Sequence, residues 1–160
     1  MTTTYKSAQV QSAQVRFNLR GSDFTVLGTV APLTAAVGDI YQLVQVPNGY
    51  TIVDMLLDTD QLDSNGAPTL SLEVGDSGNA ARFYTGTTIA RTGGVAIPNV
   101  NGFLGFTYTV GTNQGQFSGG QAGATIIQAQ VTAAAATFKA GTVRLAVRMM
   151  QMTEVSNQFL

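Results

Sequence analysis

Apolar residues recur at every second position of this chain in short bursts, and each burst ends at glycine, proline or an Asn-Gly pair. Successive side chains of an extended strand point to opposite faces, so a period of two marks a strand with one buried side and one wet or partner-facing side. Val15, Phe17 and Leu19 alternate in this way with Arg16, Asn18 and Arg20. Gly21-Ser22-Asp23 separates that burst from Phe24 to Val30, and Asp39 to Val46 runs into the turn Pro47-Asn48-Gly49. Tyr50 to Asp58 carries Ile52-Val53 and Met55-Leu56-Leu57, apolar enough for a central strand. Leu70, Leu72 and Val74 alternate with Thr69, Ser71 and Glu73, and the chain resumes at Arg82-Phe83-Tyr84. Phe103 to Val110, Ala124 to Val131 and Thr142 to Met152 close the series. Helical periodicity is nearly absent, and Ala133-Ala134-Ala135-Ala136 has no amphipathic face that would bury a helix. About eight strands with turn-rich connections predict an all-β fold, a single-domain jelly-roll or Greek-key β-sandwich.

A chain of 160 residues is long enough for one self-sufficient core. Residues 1–13 and 153–160 are too polar to bury themselves, so the expected organisation is an N-terminal arm over 1–13, a body over 14–152 and a C-terminal tail over 153–160 ending in Phe159-Leu160. Residues 85–102, with Gly86, Gly93, Gly94, Pro98 and Gly102, read as a long excursion. Residues 111–123, glycine- and glutamine-rich around Phe117, read as a flexible or partner-ordered loop.

Composition narrows the function. Charged residues make up 11% of the chain, roughly half the usual share, so the surface is covered by Thr, Ser, Gln, Asn and Gly. That neutral polar cover suits a protein that works packed against other protein. The formal charge is -1 and no segment concentrates cations, which speaks against a nucleic-acid partner. With no cysteine there are neither disulfides nor thiolate metal sites, and with no histidine there is no Ser-His-Asp or Cys-His catalysis. No apolar run approaches the roughly 20 residues that cross a bilayer, and Met1 to Val10 lacks the features of a secretory signal. Synthesis in a cytoplasm and no membrane partner are the expectations.

Carboxylates are the remaining source of chemistry. Hydrolysis of a glycoside needs two of them facing across a cleft, and the candidates are Asp54, Asp58, Asp60, Asp63, Glu73 and Asp76. Asp58, Asp60 and Asp63 share a turn-rich stretch in which aspartate ordinarily caps backbone amides. The stretch Asp58 to Gly66 fails the EF-hand pattern, since Leu62 stands at the fifth position and Asp63 at the glycine position. A calcium site built from Asp60, Asp63 and Asn65 ranks behind a solvated turn. Gly75-Asp76-Ser77-Gly78 lacks the Lys-Ser or Lys-Thr of a phosphate loop and reads as a strand-ending turn. Neither an enzyme nor a cofactor is expected.

The segment Leu70-Ser71-Leu72-Glu73-Val74-Gly75-Asp76-Ser77-Gly78-Asn79-Ala80-Ala81-Arg82-Phe83-Tyr84 follows Val46-Pro47-Asn48-Gly49-Tyr50-Thr51-Ile52-Val53-Asp54 and precedes the terminal strand Gly141-Thr142-Val143-Arg144-Leu145-Ala146-Val147. Across roughly residues 38–150 this arrangement resembles the tailed-bacteriophage capsid cement, or head decoration, proteins. The resemblance implies a jelly-roll body that binds the major capsid protein on the outer surface of the virion, after synthesis in the host bacterial cytoplasm. Strand edges with only Lys6 and Lys139 to protect them invite pairing and predict a closed homo-oligomer, a homotrimer at local threefold positions with a homodimer as the alternative. Tyr5, Val10, Val15, Phe17, Phe117, Phe159 and Leu160, in the arms and the glycine-rich loop, are the candidate assembly contacts. Thr2 to Val15 could add a strand to a neighbour's open sheet edge. The competing reading is a carbohydrate- or receptor-binding sandwich of a phage tail or fibre, with Phe103, Phe106 and Tyr108 as a stacking face.

Overall fold

The computed structural model describes residues 2–12, 23–47, 50–99, 108–109 and 125–151. The strand read at Val15 to Arg20, the aromatics Phe103 and Phe106, the loop 111–123 and the tail 153–160 lie outside these residues. Ten strands are present among those described: β1 Thr4–Lys6, β2 Asp23–Val30, β3 Ile40–Val46, β4 Tyr50–Thr59, β5 Ser71–Asp76, β6 Asn79–Thr87, β7 Gly94–Ala96, β8 Tyr108–Thr109, β9 Thr125–Ala133 and β10 Val143–Gln151. One short helix, α1 (Ala8–Ser12), follows β1.

The pairings nest. β5 pairs with β6, β4 with β7 and β8, β3 with β9, and β2 with β10, all antiparallel. The strands thus form one long hairpin rolled up so that successive pairs fall in alternate sheets. The first sheet has the order β1-β3-β9-β5-β6 and the second β2-β10-β4-β7, with β8 also on β4. This is the jelly roll that the alternation predicted. β1 is an addition to it, lying parallel to β3 with Tyr5 opposite Tyr41.

Alternation builds the core. Tyr41, Leu72, Val74, Ile127, Ala129 and Val131 point inward from the first sheet, and Ile52, Met55, Leu57, Leu145, Val147 and Met149 from the second. A bulge in β3 between Gln42 and Val44 buries Leu43 and Val44 in succession, a departure from period two that local bulges permit. Opposite that bulge, β2 passes so close to β3 that a Cβ built on Gly28 would sit 1.9 Å from the Leu43 carbonyl oxygen, so only glycine fits there. Tyr84 of β6 crosses the core. Its hydroxyl accepts a hydrogen bond from Leu57 N (3.1 Å) and donates one to the Ala96 carbonyl (3.1 Å), tying the first sheet to the β4–β7 pair of the second.

One connection differs from its reading in sequence. The excursion over 85–102 contributes the end of β6, a single 3-10 turn at Ile89–Arg91 and β7. At three residues, between Gly93 at φ +78° and Pro98, β7 is too short to show a period. The alanine stretch leaves β9 as an irregular connection whose amides at Ala136 and Thr137 bond to Asp63.

Candidate interaction surfaces

Adhesive surface on a sandwich comes from strand edges and from outward sheet faces, and the two are handled differently here. The edge of β3 is covered by the chain's own N-terminus. Thr3 N donates to Asp39 Oδ1 (2.9 Å), Ile40 N to the Thr3 carbonyl (2.9 Å) and Ser7 N to the Gln42 carbonyl (2.8 Å). Ser7, buried, adds a hydroxyl bond to the Leu43 carbonyl. Past the strand, the Gln9 amide takes over the ladder, its Oε1 accepting from Gln45 N (2.7 Å) and its Nε2 donating to the Gln45 carbonyl (3.4 Å). At the opposite edge of the same sheet, the Asn99 amide does likewise on β6, accepting from Thr85 N (2.8 Å) and donating to the Thr85 carbonyl (3.0 Å). Side-chain amides imitate the missing strand, which occupies backbone groups that would otherwise recruit another chain.

Among the described residues, nothing covers the outward face of the second sheet. Along β4 the outward residues are Asp54, Leu56 and Asp58, and along β10 they are Arg144, Ala146 and Arg148. Antiparallel register sets Arg148 opposite Asp54, Ala146 opposite Leu56 and Arg144 opposite Asp58. Leu27 of β2 stands opposite Ala146 from the other side. Leu27 is 58% exposed, Leu56 40%, and on the β7 side Val95 and Ile97 are 56% and 62% exposed. Since Ala96 pairs with Leu57, Ile97 follows on the outward side at the level of Leu56. An apolar row therefore crosses the sheet, flanked by two rungs of opposite charge. Arg144 bonds Asp58 (2.9 Å) and, more loosely, Asp60 (3.3 Å). Thr25, Asp54, Met55, Leu56, Ala146 and Arg148 line a shallow depression in this face.

Asp63, Asp60 and Asp76 are committed to the backbone. Asp63, fully buried, accepts from the amides of Asn65 (3.2 Å) and Thr137 (3.0 Å) on Oδ1 and from Thr69 (2.8 Å), Leu70 (3.2 Å) and Ala136 (3.0 Å) on Oδ2. Burial alone raises its pKa, and the amides of Thr137, Ala136, Thr69 and Asn65 reverse this, holding the carboxyl far below the ordinary carboxylate range. A carboxylate saturated by amide hydrogens offers a cation nothing, so the calcium arrangement of Asp60, Asp63 and Asn65 does not form. Asp60 instead accepts from Thr142 N and Oγ1 (2.9 and 2.7 Å). Asp76 accepts from Gly78 N and Asn79 N (2.8 and 2.9 Å) in the strand-ending turn and pairs with Arg82 at 2.7 Å. No group of three metal-ligating side chains occurs among the described residues.

Of the candidate contacts, Tyr5 packs edge-on against Tyr41 with ring centroids 5.7 Å apart, and its hydroxyl bonds Thr34 Oγ1 (2.9 Å). Val10 lies half-buried on α1, whose chain lies against β3 and β2. Val15, Phe17, Phe117, Phe159 and Leu160 lie outside the described residues. The arm thus adds a strand to its own sheet. The open apolar row was missed in sequence because Leu56 and Leu27 sit in apolar runs that read as core. The signal was the matched alternation Asp54-x-Leu56-x-Asp58 and Arg144-x-Ala146-x-Arg148.

No protein-family model matches the chain, and no curated protein sequence does. Solved structures do. A chain in the capsid asymmetric unit of cyanophage Pam1 is 29% identical, with a TM-score of 0.66 over 88% of this chain and 96% of that one. A chain in the capsid of Ralstonia phage GP4 is 22% identical, with a TM-score of 0.72 over 94% and 99%. A chain in the acid-stable capsid of Helicobacter pylori phage KHP30 shares the fold at 17% identity and a TM-score of 0.51, over 80% and 90%. The Pam1 likeness supports a structural role in a virion, the other two chains show the shared fold, and the resemblance to phage capsid-associated proteins read from the sequence is carried by the fold as well.

Proposed function

We propose that the chain is a capsid cement protein, bound to the outside of the lattice formed by the major capsid protein and stabilising the expanded head. The observation that carries this reading is the extent of the likeness to the Pam1 capsid chain, which takes in 88% of this chain and 96% of that one. The surface agrees with it. Six of the nine carboxylates, Asp39, Asp54, Asp58, Asp60, Asp63 and Asp76, are engaged by backbone amides, hydroxyls or arginine, and Asp54 lines the shallow depression without a second carboxylate beside it. A sandwich that bridges neighbouring coat subunits adds interface area to a thinned shell, and many copies multiply a modest energy per site. Self-association belongs to the same reading: a homotrimer suits threefold lattice positions and a homodimer the twofold ones.

The test is direct. Purified chain is added to expanded shells that lack it, and bound copies and the shell's melting temperature are measured. Saturable binding to the outer surface with a rise in melting temperature is expected. Absence of saturable binding overturns the proposal and favours the tail- or fibre-associated carbohydrate-binding reading, which a glycan array then addresses.

A further inference from the structure

We propose that the outward face of the second sheet is a self-complementary interface through which two copies of this chain pack face to face, about a twofold axis running along the strands between β10 and β4. Charge pattern selects both the occupant and the axis. The block made by the two central strands carries Arg, Ala and Arg along β10 and Asp, Leu and Asp along β4, in register. Two sheets packed face to face keep their strands within about 30° of one another, which leaves two in-plane twofold axes to consider. An axis across the strands would set β10 on its own copy and bring Arg144 over the partner copy's Arg148, and the aspartates of β4 over each other. An axis along the strands sets β10 over the copy's β4 at the same level. Arg144 then meets the copy's Asp58, Arg148 meets its Asp54, and Leu56 meets Ala146, where the small side chain leaves room for the large one. Each rung becomes a quartet of alternating charge, in which Arg144 keeps its bond to Asp58 and each arginine gains an aspartate from the other copy.

The rest of the sheet obeys the same symmetry. Its order β2-β10-β4-β7 has two strands on each side of the proposed axis, so β2 is carried over β7. Leu27 and Ile97, 58% and 62% exposed at the two ends of the apolar row, are thereby brought together. An isologous contact requires this kind of correspondence, in which residue i meets j and j meets i. In the first sheet, Gln9 and Asn99 occupy backbone groups of Gln45 and Thr85 that would otherwise offer an edge for pairing. Four strands at about 4.8 Å spacing make a patch about 19 Å wide, at the small end of specific interfaces, so association in the micromolar range is expected. The contact is independent of shell binding.

Two single variants, Arg148→Asp and Asp54→Arg, are sedimented separately and as a mixture. The proposed axis sets position 148 of one copy over position 54 of the other, so pairs of either variant alone put like charges in contact, whereas a mixed pair sets carboxylates on arginines. The mixture should dimerise several-fold more tightly than either variant alone, and a mixture that associates no more than the separate variants overturns the proposal. Sedimentation of the native chain should show a concentration-dependent dimer. Leu56→Asp, exposed enough to leave the melting temperature within a few degrees, should weaken that dimer at least tenfold. A native chain that stays monomeric up to its solubility limit overturns the proposal, and so does a dimer that Leu56→Asp leaves intact. A monomeric native chain whose shell binding is abolished by Leu56→Asp would assign the face to the coat instead.

Discussion

Asp63 holds two distant connections together with a single carboxylate. Its five amide donors come from the connection between β4 and β5, at Asn65, Thr69 and Leu70, and from that between β9 and β10, at Ala136 and Thr137. No ion pair among the described residues involves it. Amide dipoles aimed at both oxygens replace the solvation that burial removes, which is why the folded pKa lies far below the value of about 3.9 for an unfolded aspartate. The unfolded chain therefore binds this proton more tightly, and the stabilisation is complete above about pH 4 and is lost progressively as pH falls towards the folded pKa. Asp63→Asn keeps one acceptor but turns an amide donor towards N–H groups. Its urea midpoint at pH 7 should fall below that of the native chain, and by more than Asp60→Asn lowers it. The gap between native and variant should narrow as pH drops from about 4 towards 2. A gap that stays constant over that range would show that the charge on Asp63 contributes nothing. The sequence exposed half of this: aspartates in a turn-rich stretch announce backbone capping, but which of three aspartates collects amides from 74 residues away is a matter of tertiary contact.

At the scale of elements, strands were legible wherever a face is buried, because burial imposes the period of two. β3, β4, β5, β9 and β10 all fall within a residue or two of their apolar runs. β1 was not, and its case is instructive. Thr4–Lys6 has one half-buried residue, Tyr5, between two exposed ones, and its pairing is parallel to a strand more than thirty residues on. Nothing local encodes that, whereas the polar composition of 1–13 encodes an arm free to reach outward. Docking of the arm closes an edge that would otherwise present the amides and carbonyls of β3. It also covers Tyr41, through an aromatic pair of the kind worth about 1 kcal/mol. Main-chain bonds add a net contribution of about 1 kcal/mol each, offset by the entropy of ordering the segment. Removing residues 2–12 should therefore lower stability by on the order of 2 kcal/mol, a fall in Tm of roughly 4–8 °C for a chain of this length. It should also make the protein prone to association through β3, visible as time-dependent light scattering. An unchanged Tm and no added scattering would mean that the arm does not rest on its own sheet in solution.

For the whole molecule the scarcity of charge becomes a means of telling its surfaces apart. Charged residues are 11% of the chain, and three aspartates and two arginines of that small set, Asp54, Asp58, Asp60, Arg144 and Arg148, gather on or beside the outward face of the second sheet. The remaining surface is mostly neutral, as far as the described residues reach. A contact made through the charged face and one made through neutral surface must respond differently to salt, because screening shortens the reach of exposed charges from about 10 Å at 0.1 M to about 3 Å at 1 M ionic strength while leaving apolar and main-chain contacts almost untouched. Raising salt over that interval should weaken self-association, measured by sedimentation, several-fold. Binding to expanded shells through neutral surface should change by less than about twofold over the same interval, since few charges take part. The two measurements separate outcomes that a single one would confuse. Salt sensitivity in both would place the charged face against the coat, and insensitivity in both would remove the charge rungs from self-association and leave the apolar row from Leu27 to Ile97 as its basis.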